Sequence, residues 1–354
     1  MRSHEEVPMA IYCGIDFHPR QQSVCYCDAD DGEIHYRELH HESDDLHSFY
    51  SQFTGEVIIG LEASGYSAWF EQVLAELGHQ VWLGDAAEIR RRARRRQKND
   101  RRDAELILDL LLRGEFPRVH CPPPESREVL RLLRYRHRLI RMRTQVKNSL
   151  RALALSAGSV KKMWLFGPRG RAELFGLPMT SAMSHQRDGW LELLADLSGR
   201  VVRLDEQLKQ IARGDERVQR LQTHPGIGLL TSLALVHTLE PVSRFGGGRK
   251  VAAYAGLEPM EHSSAGKQHF GGISKGGSRL LRYLLVEAAH TAAKRDEGLR
   301  KFYQRLVYRR GAAKAKVAVA RKLLIRGYII LRDRVDYEEF LRRGVEARPA
   351  RLAT

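Results

Sequence analysis

Three consecutive prolines, Pro122-Pro123-Pro124, split a chain of 354 residues into two parts with different hydrophobic rhythms. Proline lacks a backbone N–H and fixes φ, so such a run ends one packed region and begins another. Upstream, apolar residues come in short β-rich runs. Residues 11–17 (IYCGIDF), 22–28 and 33–39 read as strands, the last two joined through the turn Asp30-Asp31-Gly32. A helix is expected over 43–53, and Val57-Ile58-Ile59-Gly60-Leu61 then forms a buried strand running into Glu62. A helix over 66–77, a strand over 80–84 and helices through 86–113 complete the series. The order βββαβαβα predicts a mixed sheet with helices on its faces.

Downstream the apolar spacing changes to three and four. Leu132, Tyr135, Leu139, Met142, Val146 and Leu153 mark one long helix, with Ser149 its weak position, and a Gly/Pro-rich stretch at 166–178 breaks it. Trp190, Leu194, Leu197, Val201, Leu204, Leu208 and Ile211 follow in unbroken heptads. A strict heptad repeat predicts a coiled-coil element, paired as a hairpin or with another subunit, whereas a core helix drifts toward a 3.6 period. A last region opens at His224-Pro225-Gly226-Ile227-Gly228 and continues with Ala- and Leu-rich helices at 229–239, 249–256, 278–294, 299–309 and 312–330. An irregular Gly/Ser stretch, 261–278, interrupts them. The expected domains are an α/β unit at 10–121, a helical coiled-coil linker or oligomerisation region at 122–215, a mostly α domain at 216–335 and a tail at 336–354, mobile after Glu346.

Charge narrows the function. Lys and Arg number 59 against 43 Asp and Glu, a formal net charge of +16 with a pI near 9.9. Such an excess suits a polyanion, nucleic acid first and an acidic membrane surface second. No apolar run approaches the ~20 residues that span a bilayer, and Met1 to Pro8 has no signal-peptide core. A membrane role recedes. Cys13, Cys25, Cys27 and Cys121 lack the paired spacing of a zinc site. They read as buried free thiols in a reducing cytoplasm.

Four acids stand at element ends: Asp16 closes the first strand, Glu62 a later one, and Asp100 and Asp103 open a helix three apart. Acids at i and i+3 share one helix face, and two Mg²⁺ ions about 3.5–4 Å apart can serve phosphodiester chemistry there. Magnesium takes hard oxygen ligands. Taken singly, Asp16 also suits a turn and Asp100 a helix N-cap. A basic run, Arg90, Arg91, Arg92, Arg94, Arg95, Arg96, Lys98, Arg101 and Arg102, surrounds two of the acids. Either it tracks a phosphate backbone or it is a solvated face. Arginines along 127–151 extend the positive surface.

Asp16, the stretch Glu62-Ala63-Ser64-Gly65-Tyr66 and Lys98-Asn99-Asp100-Arg101-Arg102-Asp103-Ala104 together resemble the DEDD-type bacterial insertion-sequence transposases, also known as bridge-RNA- or seek-RNA-guided recombinases. So do Pro225-Gly226-Ile227-Gly228, Ala252 to Pro259, Ser263-Ser264-Ala265-Gly266-Lys267 and Ile273-Ser274-Lys275-Gly276-Gly277. The likeness covers residues 10–330, and its strength lies in the ordered set. It implies a RuvC-like (RNase H-like) N-terminal domain, a helical linker and a C-terminal domain whose serine attacks DNA to give a 5′-phosphoserine. It also implies Mg²⁺ at the acids and dimers assembling into a tetramer, in which different subunits supply the two halves of one active site. A structured non-coding guide RNA then pairs with donor and target DNA.

On this chain the implied metal ligands are Asp16, Glu62, Asp100 and Asp103, and the implied nucleophile is Ser264, with adjacent Ser263 the alternative. Serine in a Gly-rich loop is ordinarily a turn residue; His262, Lys267, Lys275 and Arg279 are the company that suits a phosphate. Arg91, Arg92, Arg95, Arg96, Lys98, Lys267, Lys275 and Arg279 are the expected nucleic-acid contacts. The turn at Pro225 to Gly228 resembles a helix-hairpin-helix phosphate grip, and equally a tight interhelical turn. Two other functions fit parts of the chain. A structure-selective RuvC-type nuclease needs the acids but no serine, and a non-enzymatic nucleic-acid-binding protein needs neither.

Overall fold

The computed structural model of the chain describes residues 10–28, 32–42, 45–93, 99–159, 166–261 and 270–346. It divides between Cys121 and Pro122 into two compact units. The first carries β1 (Ala10–Phe17), β2 (Gln21–Asp28), β3 (Ile34–His40), α1 (Asp45–Ser51), β4 (Glu56–Glu62), α2 (Ala68–Glu76), β5 (Gln80–Gly84), α3 (Ala86–Arg92) and α4 (Asp100–Leu112). The strands lie in the order β3-β2-β1-β4-β5. β1 to β3 form an antiparallel meander, while β4 runs parallel to β1 and to β5. Parallel neighbours need crossovers, which α1 and α2 supply. The mixed sheet expected from the element order is present. Positions 30 and 31 of the expected turn, the N-terminus to Met9 and everything after Glu346 lie outside the described residues.

Each face of the sheet has its own packing. Cys13, Ile15, Ile59 and Leu61 enter a core with Phe49, Tyr50, Phe70 and Leu74. On the other face β1 and β4 present Gly14 and Gly60, and α4 lies on them. A Cβ at Gly14 would stand 2.4 Å from both Ala104 O and Leu108 N, so the helix rests on bare strand backbone. Cys25 and Cys27 pack beneath the same helix with Ala104 and Leu108. Burial pushes the Cys25 thiol up to about 11. None of the four cysteines is in a disulfide, and three of them are buried.

The second unit is mostly helical: α5 (Pro124–Ser156), α6 (Pro168–Phe175), α7 (Ser181–Arg213), α8 (Glu216–Gln222), α9 (Leu229–Leu239), α10 (Gly248–Tyr254), β6 (Pro259–Glu261), β7 (Phe270–Ile273), α11 (Arg279–Arg295), α12 (Glu297–Arg310), α13 (Ala312–Asp333) and α14 (Tyr337–Glu346). α5 and α7 pack on each other within the one chain. Leu139, Val146, Leu150 and Ala154 of α5 meet Leu194, Leu197, Val201 and Leu204 of α7, and Arg136 Nη2 donates to Asp205 Oδ2 at 3.1 Å. The pair is therefore antiparallel. Two positions expected in this seam are not in it: Tyr135 and Met142 are 44% and 42% exposed. Leu139, Val146 and Leu153 keep their spacing of seven, but the second position of the stripe is Leu150 and not the weak Ser149, one residue on from the series of Tyr135 and Met142. The stretch 166–178, expected to be a break, contains α6. Pro168 opens that helix, as proline can at a first turn, and Leu174 plugs the seam.

Beyond the hairpin, α8, α9, α11 and α13 share a core of Leu, Val and Ala. Asp296, with 1% of its side chain exposed, ties four elements together. It caps α12 through Leu299 N at 2.6 Å, and it accepts from Arg326 Nη1 at 2.5 Å and from the Tyr337 hydroxyl. His224 lies against this group, its Nε2 3.3 Å from Arg326 Nη1 and its ring centroid 4.5 Å from that of Tyr337.

Two predictions follow from the packing of this unit. Leu197→Ala should lower the free energy of urea unfolding by about 2–5 kcal/mol, whereas Met142→Ala should change it by about 0.5 kcal/mol or less. Burial and the Arg326 charge push His224 down to about 4, against about 6.5 in an unfolded chain. The unfolded chain then binds more protons than the folded one as pH falls through this window, so stability is full above about pH 6.5 and declines below it. Between pH 7 and pH 4.5 the loss of unfolding free energy should be about 2–3 kcal/mol smaller in the His224→Gln variant than in the wild-type chain.

Candidate functional site

β1 and β4 pair with Ile15 opposite Leu61, so Asp16 and Glu62 are the next residues on two adjacent parallel strands. By the alternation of strand side chains both leave the sheet on the face of Gly14 and Gly60, the face that α4 covers. α4 starts at Asp100, and its N-cap is Asn99, whose side chain accepts from Arg101 N at 3.2 Å. Asp100 is thus not the cap. It sits with Asp103 in the first turn, where negative charge is favoured by the helix dipole. Because α4 meets Gly14 at Ala104 and Leu108, its first turn stands beside the end of β1.

His18 joins these acids. Its Nε2 is 3.2 Å from Asp16 Oδ2 and 3.5 Å from Asp100 Oδ2. Asp16, His18 and Asp100 can each offer one ligand atom, all within 4.8 Å of one another. Burial pushes the Asp16 carboxyl above its ordinary range; Asp103 and Asp100 act in the same direction, and His18 opposes them. A cation would relieve that crowding. The carboxylate oxygens suit Mg²⁺ or Mn²⁺, and the imidazole nitrogen suits the transition metal of the two. His18 is the ligand that neither strand pattern nor helix spacing marks. Its signal was its place two residues beyond Asp16.

Glu62 is drawn elsewhere, accepting from Arg90 Nη2 at 3.2 Å. Arg90 is 70% exposed, and such a surface pair is worth only about 0–1 kcal/mol. Among the described residues the three-ligand cluster is therefore Asp16, His18 and Asp100, with Asp103 beside it and Glu62 one strand away. Arg91 pairs with Glu88, while Arg92 reaches Glu88 Oε1 at 3.6 Å and the carbonyl of Glu115. Arg95, Arg96 and Lys98 lie outside the described residues.

In the second unit, β6 and β7 pair antiparallel with Pro259 opposite Ile273 and Glu261 opposite Phe270. β7 falls inside the stretch 261–278 expected to be irregular, and β6 ends at its first residue. His262, Ser263, Ser264 and Lys267 lie between the two strands in sequence and outside the described residues. The base of the hairpin is a clasp of backbone. Gly256 and Gly277 have φ of +64° and +63°, and a Cβ there would come within 2.3 Å of Gly276 O and 2.0 Å of Tyr254 O respectively. Lys275 N donates to Gly256 O at 3.2 Å, Ser274 N to Glu258 O at 2.9 Å, and Arg282 Nη1 to Ala255 O at 3.1 Å. Lys275 is exposed with a left-handed φ of 59°, and Arg279 is exposed at the start of α11. Gly226, at φ +99°, backs onto α11, where a Cβ would meet Ala292 N at 2.7 Å.

One prediction isolates the geometry of the carboxylate site. Gly14→Ala must push α4 off β1, so it should cost about 1–3 kcal/mol in urea unfolding. It should also weaken Mn²⁺ binding at least about tenfold by calorimetry, because ligands misplaced by more than about 0.5 Å lose the ion.

Comparison with known proteins gives matches along most of the chain. A family model for DEDD transposases of IS110 elements matches residues 13–157, and one described as the transposase IS116/IS110/IS902 family matches residues 218–304. A probable family 20 transposase of Pseudomonas aeruginosa is 32% identical over 279 residues, 75% of this chain and 81% of that protein. The transposase for insertion sequence element IS1328 of Yersinia enterocolitica is 32% identical over 265 residues, covering 72% and 73%. The transposase for insertion sequence element IS1111A of Coxiella burnetii is 33% identical over 236 residues, covering 64% of each.

Proposed function

This chain belongs to the IS116/IS110/IS902 family of DEDD transposases, enzymes that cut and transfer DNA, and from that membership we propose that it moves an insertion sequence by RNA-guided cleavage and rejoining through a phosphoserine. The first unit is read as an RNase H-like (RuvC-like) domain. The observation that carries the proposal is the meeting of Asp16, His18 and Asp100, with Asp103 adjacent, where α4 begins beside the end of β1.

Asp16, Asp100 and Asp103 would hold Mg²⁺, and Glu62 would join them by leaving its exposed partner Arg90. Bound there, Mg²⁺ supplies charge that stabilises the attacked phosphate and the leaving oxygen. His18 bridges Asp16 and Asp100 and holds their carboxylates toward one point. Ser264 Oγ loses its proton as it bonds to phosphorus, and the P–O3′ bond breaks to release a 3′-hydroxyl. Attack by a 3′-hydroxyl on the phosphoserine then re-forms the diester and returns the serine. The ester conserves the bond energy that hydrolysis discards, so rejoining needs no further energy source. Lys267, Lys275 and Arg279 would contact phosphates near the serine, and the run from Arg91 to Lys98 would contact others. The net charge of +16 fits a protein handling both DNA and a structured guide RNA.

The test is a nicked DNA substrate incubated with the protein, Mg²⁺ and the non-coding RNA flanking the gene. Asp16→Ala should slow strand cleavage at least about a hundredfold, the kinetic worth of several kcal/mol of metal stabilisation. Ser264→Ala should abolish the denaturation-resistant adduct and strand exchange while leaving DNA and RNA binding intact. Mass spectrometry should find phosphate on Ser264. Phosphate on Ser263 moves the nucleophile by one residue, and cleavage without any adduct makes the protein a water-using nuclease instead.

A further inference from the structure

Within the second unit, α5 and the start of α11 line an open cavity of about 670 Å³ that the carboxylate chemistry does not use. Arg134, His137 and Arg141 line it from α5, and Ser278, Arg279 and Tyr283 line it from α11. The α5 residues are spaced three and four apart, so they form one stripe on one helix face. Among the described residues none of Arg134, Arg141 and Arg279 forms an ion pair with a carboxylate, although neighbouring arginines do, Arg131 with Glu128 and Arg136 with Asp205. Three uncompensated guanidinium groups thus face one hollow. The His137 and Tyr283 rings pack with centroids 4.7 Å apart at 53°, and Tyr283 stays 44% exposed. Ile140 and Leu280 add apolar wall beside the rings. His137 is held below its ordinary range, first by burial and then by Arg141, Arg279 and Arg136, a sign that positive potential converges there.

We propose that this cavity seats one splayed nucleotide of a single-stranded nucleic acid, its phosphate among Arg134, Arg141 and Arg279 and its base against the free face of Tyr283. Size and shape favour a nucleotide over a duplex backbone. The volume lies in the range of small-ligand sites, and duplex bases are already stacked and cannot enter a hollow between two helices. Arginine for phosphate with an aromatic for the base is the combination that holds single strands. The inference concerns binding alone and stands whether or not the proposed phosphoserine chemistry holds.

The experiment measures affinity of the full chain for a short labelled single strand, as deoxyribose and as ribose, and for a blunt duplex of the same length. Tyr283→Ala should weaken single-strand binding by about tenfold, while Tyr283→Phe and duplex binding change by about twofold or less. The double variant Arg134→Gln, Arg141→Gln alters exposed side chains only. It should flatten the log–log salt dependence of single-strand binding by about 0.7 for each lost contact. A loss with either sugar supports the pocket, and the larger loss identifies its strand. Wild-type single-strand affinity in Tyr283→Ala, equal losses on strand and duplex, or an unchanged salt slope in the arginine variant would overturn it.

Discussion

The carboxylate site depends on one contact, the backbone of α4 lying directly on the backbone of β1 at Gly14. Strand side chains normally hold a helix off the sheet, and here the missing Cβ lets Ala104 and Leu108 close the gap. Gly60 on β4 leaves room in its turn for the side chains of Ile107 and Leu111. This seating brings the first turn of the helix to the strand end, so acids eighty-odd positions apart in sequence become neighbours. Metal chemistry tolerates little play in such a set. Rigid backbone contact at its base is a more secure foundation than packed side chains, which can change rotamer.

Crowding gives the site its character. Burial and two nearby carboxylates act together on Asp16, and the only described relief is the imidazole of His18. Glu62 escapes the crowd by turning to Arg90. Because that pair is mostly solvated, its rupture is cheap, and the carboxylate count at the centre can rise when positive charge arrives.

Much of the first unit was legible in the sequence because its strands are short apolar runs bounded by turn residues, and a buried sheet leaves few other readings. The acids at strand and helix ends were legible for the same reason, since their elements were. His18 was not, because a histidine just past a strand carries no periodic signal. Tyr135 and Met142 fit three-and-four spacing with Leu132 and Leu139, but spacing does not say on which side of Leu139 and Val146 the partner helix lies, and the seam takes the side of Leu150. α6 was hidden by the glycines and prolines around it, although a proline can begin a helix as well as end one. β6 and β7 were hidden by their brevity and by the glycines of Phe270-Gly271-Gly272-Ile273, which lack the side chains that mark a strand.

The α5–α7 hairpin has a mechanical consequence. Each helix has 33 residues, a length of about 50 Å. The start of α5 and the end of α7, through Val129, Leu130, Leu133, Leu208 and Ala212, are rooted in the core of the second unit. Beyond Leu139 the two helices hold mainly each other, with α6 as a wedge near the tip. Such a beam is anchored at one end, and a tilt of about 5° at its root sweeps its tip through about 4 Å. A sub-ångström repacking around Leu130 or Leu208 is thereby converted into a displacement larger than a base-pair step.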